Sequence, residues 1–366
     1  MTNASRMMKI ATSIHEAGYF DQTHLVGVHA DGMPARTPIM PGLIVNRIRG
    51  SARGGNLGRV LRVLMWQPRV YAHYRSQPLA VVAAHNVWVL PLCWILACRW
   101  GAALAYNAHE LETEAIAMTG AKQRVARVIE ARLIARCSII SVVNVPIADW
   151  YARRYGIRPI VVGNVPEVAD EEVDLRTRLG IASNEMLYIH TGNIARGRSI
   201  PLILTTFART RHHVVFLGDG PLTADVVRAS GRHRNIHWLE PVRPDLVVAH
   251  VREADVSLCL IEQHLSLSDR LSSPNKLMEA LAADTPPLCS ELVEARRLLD
   301  AAATTWILSS PARELGEALN RIHKQDVEDF RSTWAGVQAW TEEVRPLVEK
   351  FAEISLESDP DQFENR

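Results

Sequence analysis

The sequence of 366 residues is poor in cysteine and aromatic side chains and carries almost no net charge. Its five cysteines are an odd number, and most lie in apolar runs, which favours buried reduced thiols over a disulfide framework or a zinc site. The segment Met1–Met8 is polar and no cleavage motif follows it, so a signal peptide is not expected. These features predict a cytoplasmic protein.

Long apolar runs are also scarce. The stretch Leu79–Cys98 has 20 residues without a formal charge, which is the length of a membrane span. It contains His85, Asn86 and Pro91, and these polar and turn-forming residues divide it into two shorter apolar segments. We therefore predict a strand, a polar turn and a buried helix here rather than a membrane span.

Charge is distributed unevenly along the chain. Residues 1–160 hold 19 Lys or Arg and 8 Asp or Glu, a balance of +11, and the remaining residues hold 22 and 32, a balance of −10. This asymmetry predicts two domains with different partners, of which the basic one faces lipid headgroups, a lipid phosphate or another polyanion. No nucleic-acid recognition motif or aromatic stacking platform is present, so no nucleic acid is expected as the partner.

Short β-branched runs alternate with helical stretches in both halves, a pattern typical of parallel sheets with crossover helices. The predicted strands of the first half are His24–His29, Leu43–Ile48, Ala80–Ala84, Ala102–Tyr106, Ser138–Val143 and Pro159–Val162. The helices predicted there are Ser5–Ala17, Asn56–Arg75 with a break or kink at Pro68, Val87–Cys98, Glu114–Cys137 and Ile147–Tyr155. The second half has predicted strands at Met186–His190, His213–Leu217, Ile236–Leu239, Val256–Ile261, Pro287–Cys289 and Thr305–Leu308.

The segment Gly163-Asn164-Val165-Pro166 and the acidic stretch after it are typical of a domain exit and a linker. The sequence therefore predicts an α/β protein with an N-terminal domain over residues 1–163 and a C-terminal domain over residues 164–335. Residues 336–366 are predicted to form a helix and a tail that packs back on the N-terminal domain.

The most informative motif is Ser273-Pro274-Asn275-Lys276-Leu277-Met278-Glu279. A helix that begins after a proline leaves unpaired backbone N–H groups in its first turn, and these suit the binding of a diphosphate. Glu279 lies one turn further along, where its carboxylate can accept two hydrogen bonds from a ribose diol. A capped surface helix with solvated Lys and Glu side chains explains the same residues equally well.

Two glycine turns follow strands of the second half. In Thr191–Arg198, Gly192 lets the backbone approach a phosphate, and an arginine can neutralise the phosphate charge through a forked contact. Gly218-Asp219-Gly220-Pro221 follows the next strand. Because ligands of open α/β sheets bind at the carboxyl ends of the strands, both turns are expected at the ligand-binding edge.

Together these segments resemble the retaining glycosyltransferases of family 4, over most of the chain. Members of that family have the GT-B fold, in which two Rossmann-like domains face each other across a cleft. They often contain Pro-Asn-Lys-Leu-x-Glu followed by Ala-Ala-Gly-x-Pro, which Pro274–Glu279 and Ala282–Pro286 resemble. The resemblance implies that the second domain binds a nucleotide sugar, with Glu279 at the ribose. The donor-binding residues that it implies are Gly192, Arg196, Arg198, Ser273, Asn275, Lys276 and Glu279.

Polar residues also follow two strands of the first half. His109 and Glu110 lie in a segment similar to the family's His-Glu segment at the cleft, and His85 lies in a segment similar to a polar cluster that faces the acceptor. A histidine at a strand end is often only a structural hydrogen-bonding residue, but two at neighbouring strand ends favour a functional site. The resemblance implies His109 as the catalytic residue, with His85 and Glu110 on the acceptor side.

The sequence departs from the family pattern at three places. Many members have an earlier glutamate, separated from the one at position 279 by seven intervening residues, where this chain has Leu271, so a contact to the donor sugar must come from backbone or from a neighbour such as Asp269. Asp284 replaces a glycine and is expected to adopt a left-handed conformation. The polar segment Thr2–Arg6 resembles a loop that follows the family's first strand, so either the chain starts late or its first sheet lacks that strand.

The resemblance implies transfer of a sugar, with retention, from a nucleotide sugar to a lipid-linked or polysaccharide acceptor in cell-surface glycan synthesis. The leaving group is a nucleoside diphosphate, so the main need is positive charge at its β-phosphate. Arg196, Arg198, Lys276 and the helix N-terminus can supply this charge, so neither a metal nor a cofactor beyond the nucleotide sugar is expected. Two alternatives remain open: a nucleotide-sugar epimerase with the GT-B fold, and a non-catalytic scaffold subunit that binds a nucleotide sugar.

Basic residues cluster on two predicted helices of the first half. They are Arg59, Arg62, Arg69 and Arg75 on one helix, Arg47, Arg49 and Arg53 before it, and Lys122, Arg124, Arg127, Arg132 and Arg136 on the other. Trp66 and Tyr71 lie among the first group and suit a membrane interface, because each has an apolar body and a polar tip. A solvated helix face explains either group alone, but their common domain favours peripheral docking to the anionic inner leaflet of a membrane.

Overall fold

The structure, a computed structural model, describes residues 5–50, 55–169, 171–262 and 266–357, with no side chains described for residues 5, 55–64 and 357. The chain divides into two compact units. The first consists of Met1–Gly163 together with Thr341–Arg366, and the second is Asn164–Trp340. Each unit is a parallel-sheet α/β structure.

The strands of the first unit form two sheets. They are β1 (Thr23–Val28), β2 (Arg36–Met40), β3 (Leu43–Ile48), β4 (Val81–Ala84), β5 (Ala103–Ala108), β6 (Ile139–Val142) and β7 (Ile160–Val161). One sheet has the order β1-β3-β2, in which β2 runs antiparallel to β3, and the other is the parallel sheet β4-β5-β6-β7.

Helices connect these strands. They are α1 (Ser5–Glu16), α2 (Gly55–Tyr74), α3 (Leu90–Trp100), α4 (Gly120–Leu133) and α5 (Val145–Tyr155). The chain leaves both α3 and α5 through a left-handed glycine, Gly101 and Gly156, whose backbone N–H bonds back to the last turn. The Asn144 side chain caps α5 by accepting a hydrogen bond from the Ile147 backbone N–H.

The predicted strand and helix in Leu79–Cys98 are confirmed as β4 and α3. In the described part of the chain, no helix has the length and apolar character that a membrane span requires.

The structure departs from the sequence-based expectations for this half at three places. Strand β2 was not predicted, because Pro38 and alternating exposed residues give an edge strand a weak signal. The helix expected over Glu114–Cys137 begins at Gly120 instead, since the φ of Gly120 is 58° and a right-handed helix cannot run through that angle. Helix α2 continues through Pro68 without a break.

The sequence-based prediction that Trp66 lies at a membrane interface is also wrong. Its side chain is buried in a cluster with Val70, Tyr74 and Leu96, and its indole N–H donates to the Gly27 carbonyl. An apolar ring that packs against the sheet in this way cannot contact lipid. Tyr71 packs partly against the same cluster.

A buried carboxylate joins several elements of the first unit. Glu130 on α4 is fully buried and accepts hydrogen bonds from the hydroxyls of Tyr106, Tyr151 and Tyr155 at 3.1, 2.7 and 2.8 Å. The Thr113 hydroxyl donates a weaker one at 3.4 Å. These donors come from β5, α5 and the segment before α4, so the carboxylate holds α4 in place against its neighbours.

The strands of the second unit form one parallel sheet. They are β8 (Leu187–Thr191), β9 (His213–Leu217), β10 (Ile236–Leu239), β11 (Val256–Cys259), β12 (Pro287–Ser290) and β13 (Ile307–Leu308). The strand order is β10-β9-β8-β11-β12-β13. After β8 the chain adds strands on one side, and from β11 onward it adds them on the other, so β8 and β11 flank the topological switch point.

Helices α6 to α15 belong to this unit and α16 to the first. They are α6 (Leu175–Leu179), α7 (Ile200–Phe207), α8 (Thr223–Ser230), α9 (Val247–Arg252), α10 (Leu267–Leu271), α11 (Asn275–Ala282), α12 (Val293–Leu299), α13 (Ala303–Trp306), α14 (Pro311–Arg321), α15 (Lys324–Thr333) and α16 (Trp340–Glu357). Within the first unit, Glu343 on α16 accepts a hydrogen bond from the Gly163 backbone N–H.

A buried ionic cluster ties the start of the second unit to its end. Asp255, which precedes β11, accepts hydrogen bonds from Arg176 at 2.7 Å, Lys324 at 2.6 Å and the Leu187 backbone N–H at 2.7 Å. The Asp255 side chain is only 7% exposed, so both cations depend on a carboxylate that water screens little.

Replacing Asp255 with asparagine should therefore destabilise the second unit. Removing one partner of such a buried pair leaves cations uncompensated and costs about 3 kcal/mol of unfolding free energy. Asp225→Asn, in the exposed pair with Arg228, is the matched control and should cost less than about 1 kcal/mol. Urea denaturation of both variants measures the difference, and equal losses in the two would contradict the role of Asp255.

Candidate functional site

The switch point of the second unit collects the residues that the sequence indicated for donor binding. Strand β8 ends at Thr191 and continues into the turn Gly192–Arg198, and β9 ends before the turn Gly218–Pro221. Helix α11 follows β11 in the chain and contacts that strand. Both turns therefore lie at the carboxyl edge of the sheet, where open α/β sheets bind ligands.

Glycine is required in these turns because the two backbones touch. A Cβ atom on Gly218 would lie 2.0 Å from the Gly192 carbonyl oxygen, and one on Gly220 would lie 2.5 Å from the Ile194 carbonyl oxygen. Gly192 itself has a φ of 75°, which side-chain-bearing residues rarely adopt. The result is a compact double turn with backbone exposed at Gly192.

Helix α11 begins immediately after Pro274, which occupies the N-cap position. Pro274 has no side-chain acceptor and makes no cap hydrogen bond, so it leaves the first backbone N–H groups of the helix uncapped by the N-cap residue. Ser273 is half-buried beside it, and the Asn275 amide oxygen accepts a hydrogen bond from Asn164 at 2.5 Å. An anion at this end would receive several N–H donors and the favourable end of the helix dipole.

Lys276 lies in the first turn of α11 and contacts a histidine that the sequence did not indicate. Its Nζ atom lies 2.6 Å from Nε2 of His190, the penultimate residue of β8. Burial lowers the pKa of Lys276 to about 7, an effect that Arg198 strengthens and that Cys259 and Glu279 oppose. Arg198 is thus close to the lysine, whereas Arg196 is exposed and contributes nothing to this shift.

Glu279 lies one turn after Lys276. It accepts a hydrogen bond of 2.7 Å from the hydroxyl of Thr191, the last residue of β8. Burial raises the pKa of Glu279, and both the Thr191 hydroxyl and Lys276 oppose that shift. The Thr191 contact holds the carboxylate at the strand end.

The departures from the family pattern have clear structural consequences. Leu271 ends α10 with its side chain buried, and Asp269 forms a capping box with Ser266 at the start of that helix. The Asp269 carboxylate accepts from the Ser266 hydroxyl at 2.6 Å, so it is committed to the helix cap. Asp284 has a φ of 53°, which confirms the expected left-handed conformation.

In the first unit, two histidines meet at the ends of β4 and β5. His85 Nδ1 lies 3.1 Å from His109 Nε2, and the rings stack with centroids 5.3 Å apart at an angle of 5°. Burial and the charge of Arg6 together lower the pKa of His109 to about 4, and burial, His109 and Arg6 lower the pKa of His85 to about 3. Both rings are therefore neutral at physiological pH, with one proton between the facing nitrogens.

The loop around these histidines is held by polar side chains. The Asn86 amide oxygen accepts from the Trp88 and Val89 backbone N–H groups, and Glu112 accepts from the Val87 N–H at 2.7 Å. Glu110 is exposed and follows His109 directly. Arg6 donates to the Val162 and Gly163 carbonyls and is 9% exposed. The segment Thr2–Ala4, expected as a loop, lies outside the described residues.

Sequence reasoning missed His190, Thr191 and Arg6 as parts of these clusters. His190 and Thr191 are polar residues at the end of a fully buried strand, next to the glycine turn, and this position was the available signal. Arg6 gave no such signal, because its contacts join residues more than 150 positions apart.

Comparison with known proteins agrees with this geometry. Residues 187–325 match the family model described as Glycosyl transferases group 1. A search of curated protein sequences gave no significant match.

Solved structures resemble the whole chain. A sucrose-phosphate synthase from Thermosynechococcus elongatus superimposes with a TM-score of 0.70 at 14% identity, covering 96% of this chain and 90% of that one. The Anabaena protein HepE, solved with UDP and glucose, gives a TM-score of 0.62 at 14% identity over 94% and 95% of the chains.

A protein from Listeria monocytogenes described as a UDP-N-acetylglucosamine 2-epimerase gives a TM-score of 0.55 at 13% identity, over 88% and 84% of the chains. Likeness at these identities establishes the fold alone. The chain thus has the fold of the GT-B glycosyltransferases, and its residues 187–325 are similar to the Glycosyl transferases group 1 family.

Proposed function

We propose that this protein is a glycosyltransferase that moves a sugar, with retention, from a nucleotide sugar to a lipid-linked glycan acceptor. The observation that carries the proposal is the arrangement at the switch point of the second unit. The start of α11 brings Lys276 to His190 and Glu279 to Thr191, at the strand end that leads into the glycine turn with Arg198. This set matches a nucleoside diphosphate, which needs backbone N–H donors and cations for its phosphates and a carboxylate for its ribose.

The chemistry follows from where charge develops. Breaking the bond between the sugar and the diphosphate puts negative charge on the β-phosphate, and Lys276, Arg198 and the first N–H groups of α11 are placed to stabilise it. These fixed donors can act without a metal, and we propose a metal-independent reaction. The departing phosphate can take the proton of the acceptor hydroxyl, so a protein base is not required.

His109 is proposed to orient the reacting sugar as a neutral imidazole. A ring with a pKa of about 4 carries no charge at pH 7, so it acts there through hydrogen bonds. His85 Nδ1 lies 3.1 Å from His109 Nε2, so one of these two nitrogens donates to the other and the contact orients the His109 ring. Glu110 is proposed to face the acceptor.

The surface of the first unit supports a lipid-linked acceptor. The exposed residues of α4 include three basic ones, Lys122, Arg124 and Arg132, with Val125 and Val128 among them. Arg127 is not part of this surface charge, because it forms an ion pair with Glu114. Of the other predicted basic residues, Arg53 and the side chains of Arg59 and Arg62 lie outside the described residues.

An apolar groove lies on the same unit. It has a volume of about 390 Å³ and lies between α2 and α3, where it is lined by Gln67, Pro68, Tyr71, Pro91, Leu92 and Ile95. Arg75 and Arg99 follow one turn after Tyr71 and Ile95 and are exposed. We propose that the groove accepts the hydrocarbon chain of the acceptor while nearby arginines contact lipid phosphates, which makes the enzyme peripheral to the inner face of the membrane.

Epimerisation of a nucleotide sugar is a second candidate, which the likeness to the Listeria protein favours. Both activities would use the same donor site, but they convert a labelled nucleotide sugar into different labelled products. A labelled nucleotide sugar incubated with membrane lipids should lose its label to the lipid fraction if the protein is a transferase. Label retained in an isomeric nucleotide sugar indicates an epimerase, and nucleotide binding without either product indicates a scaffold subunit.

Glu279→Gln should weaken nucleotide binding while the fold is kept. The amide cannot provide the charge-assisted hydrogen bonds of the carboxylate, which contribute about 1.5–3 kcal/mol. Calorimetric titration with UDP, GDP and ADP measures this loss for whichever nucleotide binds. Glu291→Gln, on an exposed residue paired with Arg296, is the matched control and should bind normally. Wild-type affinity in Glu279→Gln would exclude the ribose contact.

His109→Ala should lower kcat about 100-fold with little effect on nucleotide affinity, since misplacing a reacting group has a cost of this size. Steady-state kinetics gives kcat and KM separately. His29→Ala changes another half-buried histidine of the first unit and should leave both constants unchanged. A loss confined to KM would make His109 a binding residue, and wild-type kinetics would make it structural.

Replacing Lys122, Arg124 and Arg132 together by glutamine should reduce binding to anionic vesicles about 100-fold, because each basic residue near such a surface adds about 1 kcal/mol. Vesicle flotation at low and high salt measures the binding, which salt should release. The same triple change at Arg211, Arg232 and Arg234, exposed in the second unit, controls for total charge. Equal losses in the two variants, or equal recovery with neutral vesicles, would contradict docking through α4.

A further inference from the structure

His190 is a fully buried histidine that lies within hydrogen-bond distance of the lysine Lys276. Its Nε2 and Nδ1 atoms lie 2.6 and 3.3 Å from Nζ of Lys276. The ring also hydrogen-bonds to the Asn193 backbone in a way that favours the protonated ring, as a ring N–H donating to a carbonyl does. One ring nitrogen is thus a donor to the glycine turn, and the other is left to accept from Lys276.

The groups that face Lys276 explain why the amine depends on this acceptor. Arg198, in the turn after β8, is a cation and disfavours a second charge nearby. Glu279, on the same helix, favours the charge but is committed to Thr191 at 2.7 Å. Cys259 on β11 is buried and shares a hydrogen bond with Cys289 on β12. His190 on β8 is the closest acceptor among them.

We propose that His190 is a positioning residue that holds Lys276 toward the diphosphate site, and that diphosphate binding there is coupled to uptake of one proton by Lys276. The proposal rests on the proposed function, since it assumes that the nucleotide diphosphate binds at α11. The proton comes from solvent, and no bond other than N–H forms. His190 also joins the lysine to the glycine turn through Asn193, so both sides of the phosphate site move together.

The direction of the pH dependence follows from the charges. A bound diphosphate stabilises the ammonium and raises the pKa of Lys276 above its value of about 7 in the free protein. Below that pH the lysine is already protonated and affinity is constant. Above it, binding must supply a proton, so affinity falls by up to about tenfold for each pH unit until the pKa of the complex is reached.

Calorimetric titration of the full chain with UDP, GDP and ADP from pH 6 to 9 measures this profile. At pH 8, titrations in HEPES and in Tris, which differ in ionisation enthalpy and contain no phosphate, give the number of protons taken up. The wild-type protein should take up between half a proton and one proton. Lys276→Arg keeps a cation that does not lose its proton in this range, so its profile should be flat apart from the titration of the nucleotide itself.

Variants at His190 separate positioning from mere packing. His190→Leu removes the acceptor, so the decline in affinity should begin about one pH unit lower than in the wild type. His190→Gln retains an acceptor oxygen and should restore most of the wild-type profile. A packing role alone would change affinity equally at every pH.

A flat wild-type profile, or proton uptake that persists in Lys276→Arg, would overturn the proposal while leaving nucleotide binding intact. If the pH profile of His190→Leu coincides with that of the wild type, His190 is not a positioning residue for Lys276. If none of the three nucleotides binds at any pH, both the donor site and this coupling are wrong. If His190→Leu does not fold, the wild-type and Lys276→Arg titrations still decide whether the proton is taken up by Lys276.

Discussion

The second unit depends on one constraint, which is the reversal of strand order between β8 and β11. Parallel strands direct all their carboxyl ends to one edge, and the reversal opens that edge at a single place. Every group of the candidate donor site derives its position from it. Thr191 and His190 end β8, the glycine turn follows, and α11 brings Lys276 and Glu279 to the same point.

The polar contacts at this edge join side chains of α11 to side chains at the end of β8. Thr191 holds Glu279, and His190 holds Lys276, so the two functional side chains of α11 are fixed by consecutive residues of β8. A fixed carboxylate and a fixed amine lose little conformational freedom when a ligand binds. The close approach of Gly218 to Gly192 adds rigidity, because neither turn can shift without the other.

Much of the fold could be predicted because hydrophobic periodicity depends on local sequence. The alternating runs indicated most helices and, apart from β2, the strands of all three sheets, and the turn at His85 and Asn86 separated β4 from α3. The failures have local causes as well: Pro38 weakens the signal of β2, and the left-handed Gly120 moves the start of α4. The composition gave the contrast between a basic first half and an acidic second half.

The candidate site could be predicted only in part. The motif around Lys276 and Glu279 indicated the phosphate end of α11, but the partners of these residues lie more than 80 positions away. Such pairings depend on how strands and helices pack, which no short pattern encodes. Of the two arginines that the motif indicated, Arg196 is exposed, whereas Arg198 is half-buried and its charge lowers the pKa of Lys276.

Binding of a nucleoside diphosphate at the start of α11 is the claim on which the proposed function depends. A crystal structure of the protein with UDP, or with whichever diphosphate binds most tightly, tests it directly. The account predicts phosphate oxygens at the Asn275 and Lys276 backbone N–H groups and at Lys276 Nζ, with the ribose on Glu279. A nucleotide bound elsewhere, or a diphosphate that leaves Lys276 on His190 alone, would contradict it.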